Sequence, residues 1–224
     1  MPARQHGRPV WLATTLPLAL ALSFRPARAA DPVVIEVFGG SALQLRTRTT
    51  FRQEGEPDLR FTARWETHPF LPAPYYAWRV GLWHGRGAWE LQWLHHKAYL
   101  ENPPPEIQSF EVSHGYNILT FGRAMRLTGG LELHAGAGPV ITHTEGVVRG
   151  RTIESTGTTF ADGYDLAGAA IMVGAGWKLP LVGGLFATVN AEATGAWARV
   201  KIAGGTADVP NVALHGLVGL GYTF

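Results

Sequence analysis

Asn211-Val-Ala-Leu-His-Gly-Leu-Val-Gly-Leu-Gly-Tyr-Thr-Phe224 is the stretch from which the fold is read. Val212, Leu214, Gly216, Val218, Leu220, Tyr222 and Phe224 fall on one face of a two-residue repeat. Ala213, His215, Leu217, Gly219, Gly221 and Thr223 fall on the other. One face is apolar and ends in aromatics, and the other is small or polar. That is the pattern of a strand with two different environments on its two sides.

The same alternation recurs upstream. Val33–Phe51 sets Val33, Ile35, Val37, Leu43 and Leu45 against Glu36, Gln44, Arg46 and Arg48. Tyr75–His84 sets Tyr76, Trp78, Val80 and Leu82 against Arg79, and Ala88–Tyr99 sets Trp89, Leu91 and Trp93 against Glu90, Gln92 and His96. In Phe110–Met125 the phase is ambiguous, and Leu119 and Phe121 are assigned to the apolar face. Leu131–Thr144 sets Leu133, Ala135, Ala137 and Ile141 against Glu132 and His134. Gly163–Lys178 groups Ile171, Val173 and Trp177, and Leu185–Val200 sets Val189 and Ala191 against Asn190 and Glu192. With the terminal strand these make eight. Leu59–Thr67 also alternates and is read as a hairpin arm inside the first long loop, not as a ninth spanning strand.

Connections near 85–87, 126–130 and 179–184 are short, whereas those near 52–74, 100–109, 145–162 and 201–210 are long. Strict alternation of short and long links is expected of an up-and-down transmembrane barrel with short periplasmic turns and longer external loops. It places both termini in the periplasm. The expected fold is all-β, an eight-stranded antiparallel transmembrane barrel over residues 30–224. Hydrocarbon supplies no water to unpaired amides, so a sheet can span it only when closed. Trp78, Trp89, Trp93, Trp177, Tyr222 and Phe224 suit the aromatic girdles at the two interfaces.

Residues 1–29 read as an export signal: Arg4 and Arg8, the uncharged run Val10–Phe24, then Ala27-Arg28-Ala29 as a cleavage pattern. The full chain of 224 residues carries a formal charge of +2. Loss of Arg4, Arg8, Arg25 and Arg28 from 19 Lys and Arg leaves 15 against 17 Asp and Glu, a net of −2. That balance removes the electrostatic support for a nucleic-acid partner. The chain contains no Cys, which excludes disulfides, thiolate metal sites and thiol nucleophiles.

An eight-stranded barrel has an interior that side chains can fill. Glu36, Arg46, Arg79, Glu90, Gln92, His134 and Glu192 are expected to form an interior polar network. Acids and bases placed together there must pair to offset desolvation. A diffusion porin needs about twice as many strands.

Three features at the external rim carry candidate chemistry. His95, His96, His114 and His143 lie near outer strand ends and His68 in the first loop, with Glu101, Glu106 and Glu111 able to add oxygen ligands. His95 and His96 are neighbours on a strand and must point to opposite faces. No local metal-binding spacing is present, so neither metal nor cofactor is assigned. Glu101-Asn-Pro-Pro-Pro-Glu106 is a stiff loop, read as a rigid structural rim, the alternative being a brace for a site built from Lys97, Tyr99 and His114. Ser113-His114 is a nucleophile–base pair in sequence, with Ser109 and Ser155 in loops, but the His-x-Ser-Asn pattern of outer-membrane lipid A deacylases is absent.

Two resemblances follow from these residues. Terminal Phe224, with Tyr222 two before it and alternate apolar residues upstream, resembles the assembly signal of bacterial outer-membrane barrels, which implies the barrel-assembly machinery as a partner. The runs Pro74–Val80, Trp93–Tyr99 and Phe110–Thr120 resemble a small outer-membrane barrel family of the OmpA/OmpX type, some members of which are labelled lipid A oxidase. The likeness runs from about Tyr75 to Phe224. It implies outer-membrane lipids and lipopolysaccharide as partners. The expected role is structural or surface-interacting at the outer leaflet. The alternative is a lipid A-modifying enzyme acting through His96, Lys97, Tyr99 and His114.

Overall fold

The computed structural model describes residues 31–71, 74–153 and 163–224; the expected export signal, residues 1–29, lies outside them. Fourteen strands follow in order: β1 (Val33–Gln44), β2 (Thr47–Gln53), β3 (Leu59–Ala63), β4 (Trp65–Glu66), β5 (Tyr76–His84), β6 (Gly87–Leu100), β7 (Ile107–Arg126), β8 (Leu131–Thr142), β9 (Glu145–Val148), β10 (Arg151–Ile153), β11 (Asp165–Pro180), β12 (Leu185–Ile202), β13 (Gly205–Asp208) and β14 (Asn211–Thr223). Eight of them close a ring, β1–β5–β6–β7–β8–β11–β12–β14 and back to β1, every pair antiparallel. The seam runs from Val34 opposite Thr223 to Gln44 opposite Ala213. Closure leaves no spanning strand with a free edge.

The two-residue repeat sorts the side chains. Val33, Ile35, Val37, Ile171, Val173, Trp177, Val189, Val218 and Leu220 face outward and are exposed, as are Phe121 and Met125 of β7. Between them Glu36, Arg79, Gln92, Glu132, Glu192 and His215 point into the lumen and are buried. An apolar exterior around a polar interior inverts the pattern of a water-soluble protein and matches a wall immersed in lipid. No helix among the described residues is long and apolar enough to cross a membrane.

One sequence expectation needs correction. Val33–Phe51 is not one strand. β1 ends at Gln44, and Leu45 and Arg46 lie between strands. Leu45 N still donates to Val212 O at 2.8 Å, but the chain then leaves the ring and enters a separate sheet at the rim. Arg46 is therefore exposed and takes no part in the interior network. Leu59–Thr67 is, as expected, a hairpin arm in the first long loop: β3 pairs with β2, and the short β4 after it pairs with the end of β6. Neither piece spans.

The long-loop end is folded, not frayed. β3, β2 and β13 form a sheet that continues onto the upper end of β12. β9 pairs with the upper end of β7 and with β10. Phe51, Trp65, Phe110, Val112, Val148, Val200, Ile202, Ala207 and Val209 bury themselves between these elements. Phe51 meets Phe110 edge-on with ring centroids 4.8 Å apart. At the opposite end the links are tight; in the turn after β7, Gly129 and Gly130 adopt φ of 75° and 80°, which suits glycine.

Candidate functional site

Arg79 is the hub of the lumen. Its side chain is 1% exposed. It donates from Nε to Gln92 Oε1 at 2.8 Å, from Nη1 to Glu36 at 3.4 Å and Asn190 at 3.3 Å, and from Nη2 to Glu192. Gln92 Nε2 donates to the second Glu192 oxygen at 2.7 Å. Glu90 Oε2 lies 3.8 Å from Arg79 and 2.8 Å from His134 Nδ1. Nearer the short-turn end, Lys178 Nζ sits 2.8 Å from Glu132 and 3.6 Å from Glu36, and Arg126 donates twice to Glu132 at 2.9 and 3.0 Å. The indole of Trp83 lies 4.2 Å below the Arg126 guanidinium. Four buried carboxylates thus face three cations in one connected network that crosses the lumen. Of the residues expected there, all but Arg46 meet in it. Lys178 and Arg126 escaped the sequence reading, although Lys178 follows outward-facing Trp177 and so had to point inward.

The four rim residues named as a candidate catalytic set do not converge. His96 is fully buried inside the barrel, with its ring 5.2 Å from that of His215 and 6.0 Å from that of Tyr116. His215 is held at both nitrogens, by the Tyr75 hydroxyl at 2.8 Å and the Thr194 hydroxyl at 2.7 Å. Lys97 and Tyr99 gather instead around His68. Lys97 Nζ donates to the carbonyls of His68 and Leu71 at 3.1 and 3.0 Å, and the Tyr99 ring meets the His68 ring edge-on at 4.8 Å. His68 Nε2 reaches Glu101 at 3.4 Å and Glu66 at 3.8 Å. His114 lies elsewhere, exposed on the outer wall.

A bulge puts it there. Between the pairs His96–Tyr116 and Ala98–Val112, three residues of β7 oppose one of β6. The surplus turns His114 outward, as bulges commonly re-aim a side chain. Gly115 takes φ +136°, and a Cβ there would lie 2.1 Å from the Asn117 amide nitrogen. His143 N donates to Gly115 O at 3.1 Å and pins the two strands together. His114 Nδ1 lies 3.0 Å from Glu145 Oε1, and His143 Nε2 lies 3.1 Å from the same oxygen. Tyr164 packs its ring 5.1 Å from His143 and donates its hydroxyl to His114 O at 2.9 Å. Below this group, His95 stacks on Tyr76 at 4.8 Å and bonds Asn117 at 2.7 Å. His95 and His96 do point to opposite faces. Glu145 escaped the sequence reading; the chain breaks between β8, ending at Thr142, and β9, starting at Glu145, so no strand repeat places His143 and Glu145 together. Ser113 Oγ donates to Glu111 at 2.9 Å and lies 3.4 Å from His114 Nδ1; Ser155 lies outside the described residues.

The rim sheet presents a second surface. In register, Arg199 and Lys201 of β12 lie opposite Asp208 and Thr206 of β13, these opposite Thr50 and Arg52 of β2, and Thr50 and Arg48 opposite Arg60 and Thr62 of β3. All share the face turned away from the apolar centre, and exposed Arg46 and Arg64 extend it. Asp208 takes Arg52 at 2.6 Å and Arg199 at 2.7 Å, Asp58 takes Arg60 at 2.9 Å, and Asp165 takes Lys201 at 2.8 Å. Arg46, Arg48 and Arg64 have no carboxylate partner among the described residues.

A closed ring of eight antiparallel strands, apolar outside and plugged inside, defines a small β-barrel of the outer-membrane type. The fold is similar to that of a solved structure, and further solved structures align with the chain. The outer membrane protein OprG from Pseudomonas aeruginosa aligns over 87% of this chain and 96% of its own, at 12% identity and a TM-score of 0.50. The attachment invasion locus protein Ail of Yersinia pestis aligns over 88% and 100%, at 12% identity and a TM-score of 0.41. The outer membrane protein AlkL aligns over 90% and 96%, at 12% identity and a TM-score of 0.46. No protein-family profile matches the chain, and no curated protein matches it in sequence.

Proposed function

We propose that this chain is an integral outer-membrane protein whose work is done at the surface of the outer leaflet, where it holds the anionic head groups of lipids such as lipopolysaccharide. The observation that carries this reading is the arginine face of the rim sheet, with Arg46, Arg48 and Arg64 exposed and without a carboxylate partner among the described residues. Anionic head groups attract such side chains by about 1 kcal/mol each. The Arg79 network argues against transport through the lumen. Export through residues 1–29, periplasmic termini and delivery by the assembly machinery through Tyr222 and Phe224 belong to the same proposal. Those two rings are exposed and pack edge-on at 4.8 Å.

The test is native mass spectrometry of the detergent-extracted barrel titrated with a bisphosphorylated lipid A and, separately, with zwitterionic phosphatidylcholine. Preferential lipid A adducts that fall away in the triple variant Arg46→Gln, Arg48→Gln, Arg64→Gln support the reading. Equal binding of both lipids by the parent protein overturns it.

Modification of lipid A is a second reading. It is favoured by the His114–His143–Glu145 group, which faces the side where the outer leaflet would lie. Mass spectrometry of lipid A from cells with and without the protein, with His114→Ala as control, decides it. An unchanged spectrum with folded protein present ends that reading.

A further inference from the structure

We propose that His114, His143 and Glu145 form a binding site for a first-row divalent transition-metal ion on the outer wall of the barrel. The three side chains each offer one ligand atom, and these atoms all lie within 4.8 Å of one another. Both imidazoles aim at the same carboxylate oxygen, at 3.0 and 3.1 Å. An ion bound at about 2.1 Å from nitrogen and oxygen ligands separates its own ligands by about 3 Å, so this spacing is already close to that of a coordination shell.

The charge balance asks for a cation. Glu111 and Glu145 are direct cross-strand partners of β7 and β9. Like charges placed opposite one another destabilise a sheet, and neither has an Arg or Lys ion pair among the described residues. Glu145 lies against the two imidazoles and Glu111 accepts from the Ser113 hydroxyl, with Tyr99 beside both and the Lys97 charge acting on Glu111 from beyond ion-pair distance. A divalent ion at Glu145 would relieve the repulsion between the two facing carboxylates.

The donor set selects the metal class. Two imidazoles and one carboxylate suit Zn²⁺, Fe²⁺, Ni²⁺ or Cu²⁺, whereas Mg²⁺ and Ca²⁺ prefer oxygen alone. Three protein ligands leave coordination positions open toward the exterior. The backbone carrying both histidines is braced: His143 N donates to Gly115 O, the Tyr164 hydroxyl donates to His114 O, and the Tyr164 ring packs on the His143 ring. The Glu66–His68–Glu101 group offers ligand atoms at similar spacing, but with only one imidazole it is the weaker competitor and serves as the control.

Isothermal titration of the tag-free folded barrel in detergent with ZnCl₂ is the experiment, with Co²⁺ absorption as a second readout of nitrogen ligation. One equivalent is expected to bind. His143→Ala and Glu145→Gln are each expected to weaken it at least tenfold, and His68→Ala to leave it in place. Folding of each variant is checked by its heat-dependent gel shift. A folded parent protein that takes up no Zn²⁺, or binding that survives His143→Ala and Glu145→Gln combined in one chain, or binding lost only with His68→Ala, overturns the proposal. Lipid A binding is read in separate titrations, so either result stands without the other.

Discussion

Arg79 on β5 and Glu192 on β12 meet across the lumen as a buried ion pair, and through them the barrel wall is tied to itself from within. Glu36 and Glu90 share the same guanidinium. Removing one partner of a buried pair leaves uncompensated charge and costs about 3–5 kcal/mol. Arg79→Ala is therefore expected to lower stability by about that amount, read from urea unfolding of the barrel in lipid vesicles. A loss below about 1 kcal/mol would show that water already shares the plug. The parent protein is also expected to carry no steady current in planar bilayers.

Salt separates the arginine face from nonspecific adhesion. With about 1 kcal/mol for each of Arg46, Arg48 and Arg64, the triple glutamine variant is expected to lose about 100-fold in affinity for lipid A. Single variants should lose about fivefold each. The parent affinity should fall steeply between low and physiological ionic strength, because screening there acts over about 8 Å. An affinity indifferent to salt contradicts an electrostatic contact.

Acid should loosen the rim sheet before the ring. Burial pushes the Asp208 carboxyl up, but hydrogen bonds from Arg199 and Arg52 and their charges outweigh it and hold it below the ordinary value of 3.8. A depressed carboxylate stabilises the folded form at pH above its unfolded value, and that contribution disappears as pH falls through the folded value. Amide exchange over residues 199–208 is expected to quicken below pH 3.8, while that of β11 stays slow. In Asp208→Asn the rim should exchange faster at neutral pH and lose this acid step.

Phe224 touches little that holds the finished barrel together, although its backbone N donates to Val33 O at 2.9 Å. Its ring is exposed. Phe224→Ala is expected to cut the yield of folded protein in the membrane while changing the stability of the refolded barrel by less than about 0.5 kcal/mol. A stability loss that accounts for the lower yield would assign the residue to packing and not to assembly.

The spanning strands were legible because each has one face in an apolar medium and the other in a packed polar interior, so the two-residue repeat is written into Val212–Phe224 and its seven counterparts. The same rule misled at Arg46. Beyond Gln44 the repeat continues in β2, but its buried face now packs on Phe110 and its exposed face meets solvent, so alternation alone hides the change of environment. His96 and Glu90 were readable as inward from their neighbours. The wall cluster was not, because His114 reaches Glu145 only through a bulge and a pairing between β7 and β9. Those are long-range features that no local spacing records.

The apolar centre beneath β2, β3, β9 and β13 has a consequence for recognition by other molecules. Loops that share one core hold a fixed relief at that end of the barrel instead of a set of independent tethers. Antibodies raised against the native protein should therefore bind surfaces assembled from several loops at once and fail on the boiled chain. A foreign peptide inserted in the Glu54–Asp58 turn should disturb that relief, because Arg149 holds the turn through Pro57 O at 2.7 Å and Glu56 at 3.9 Å.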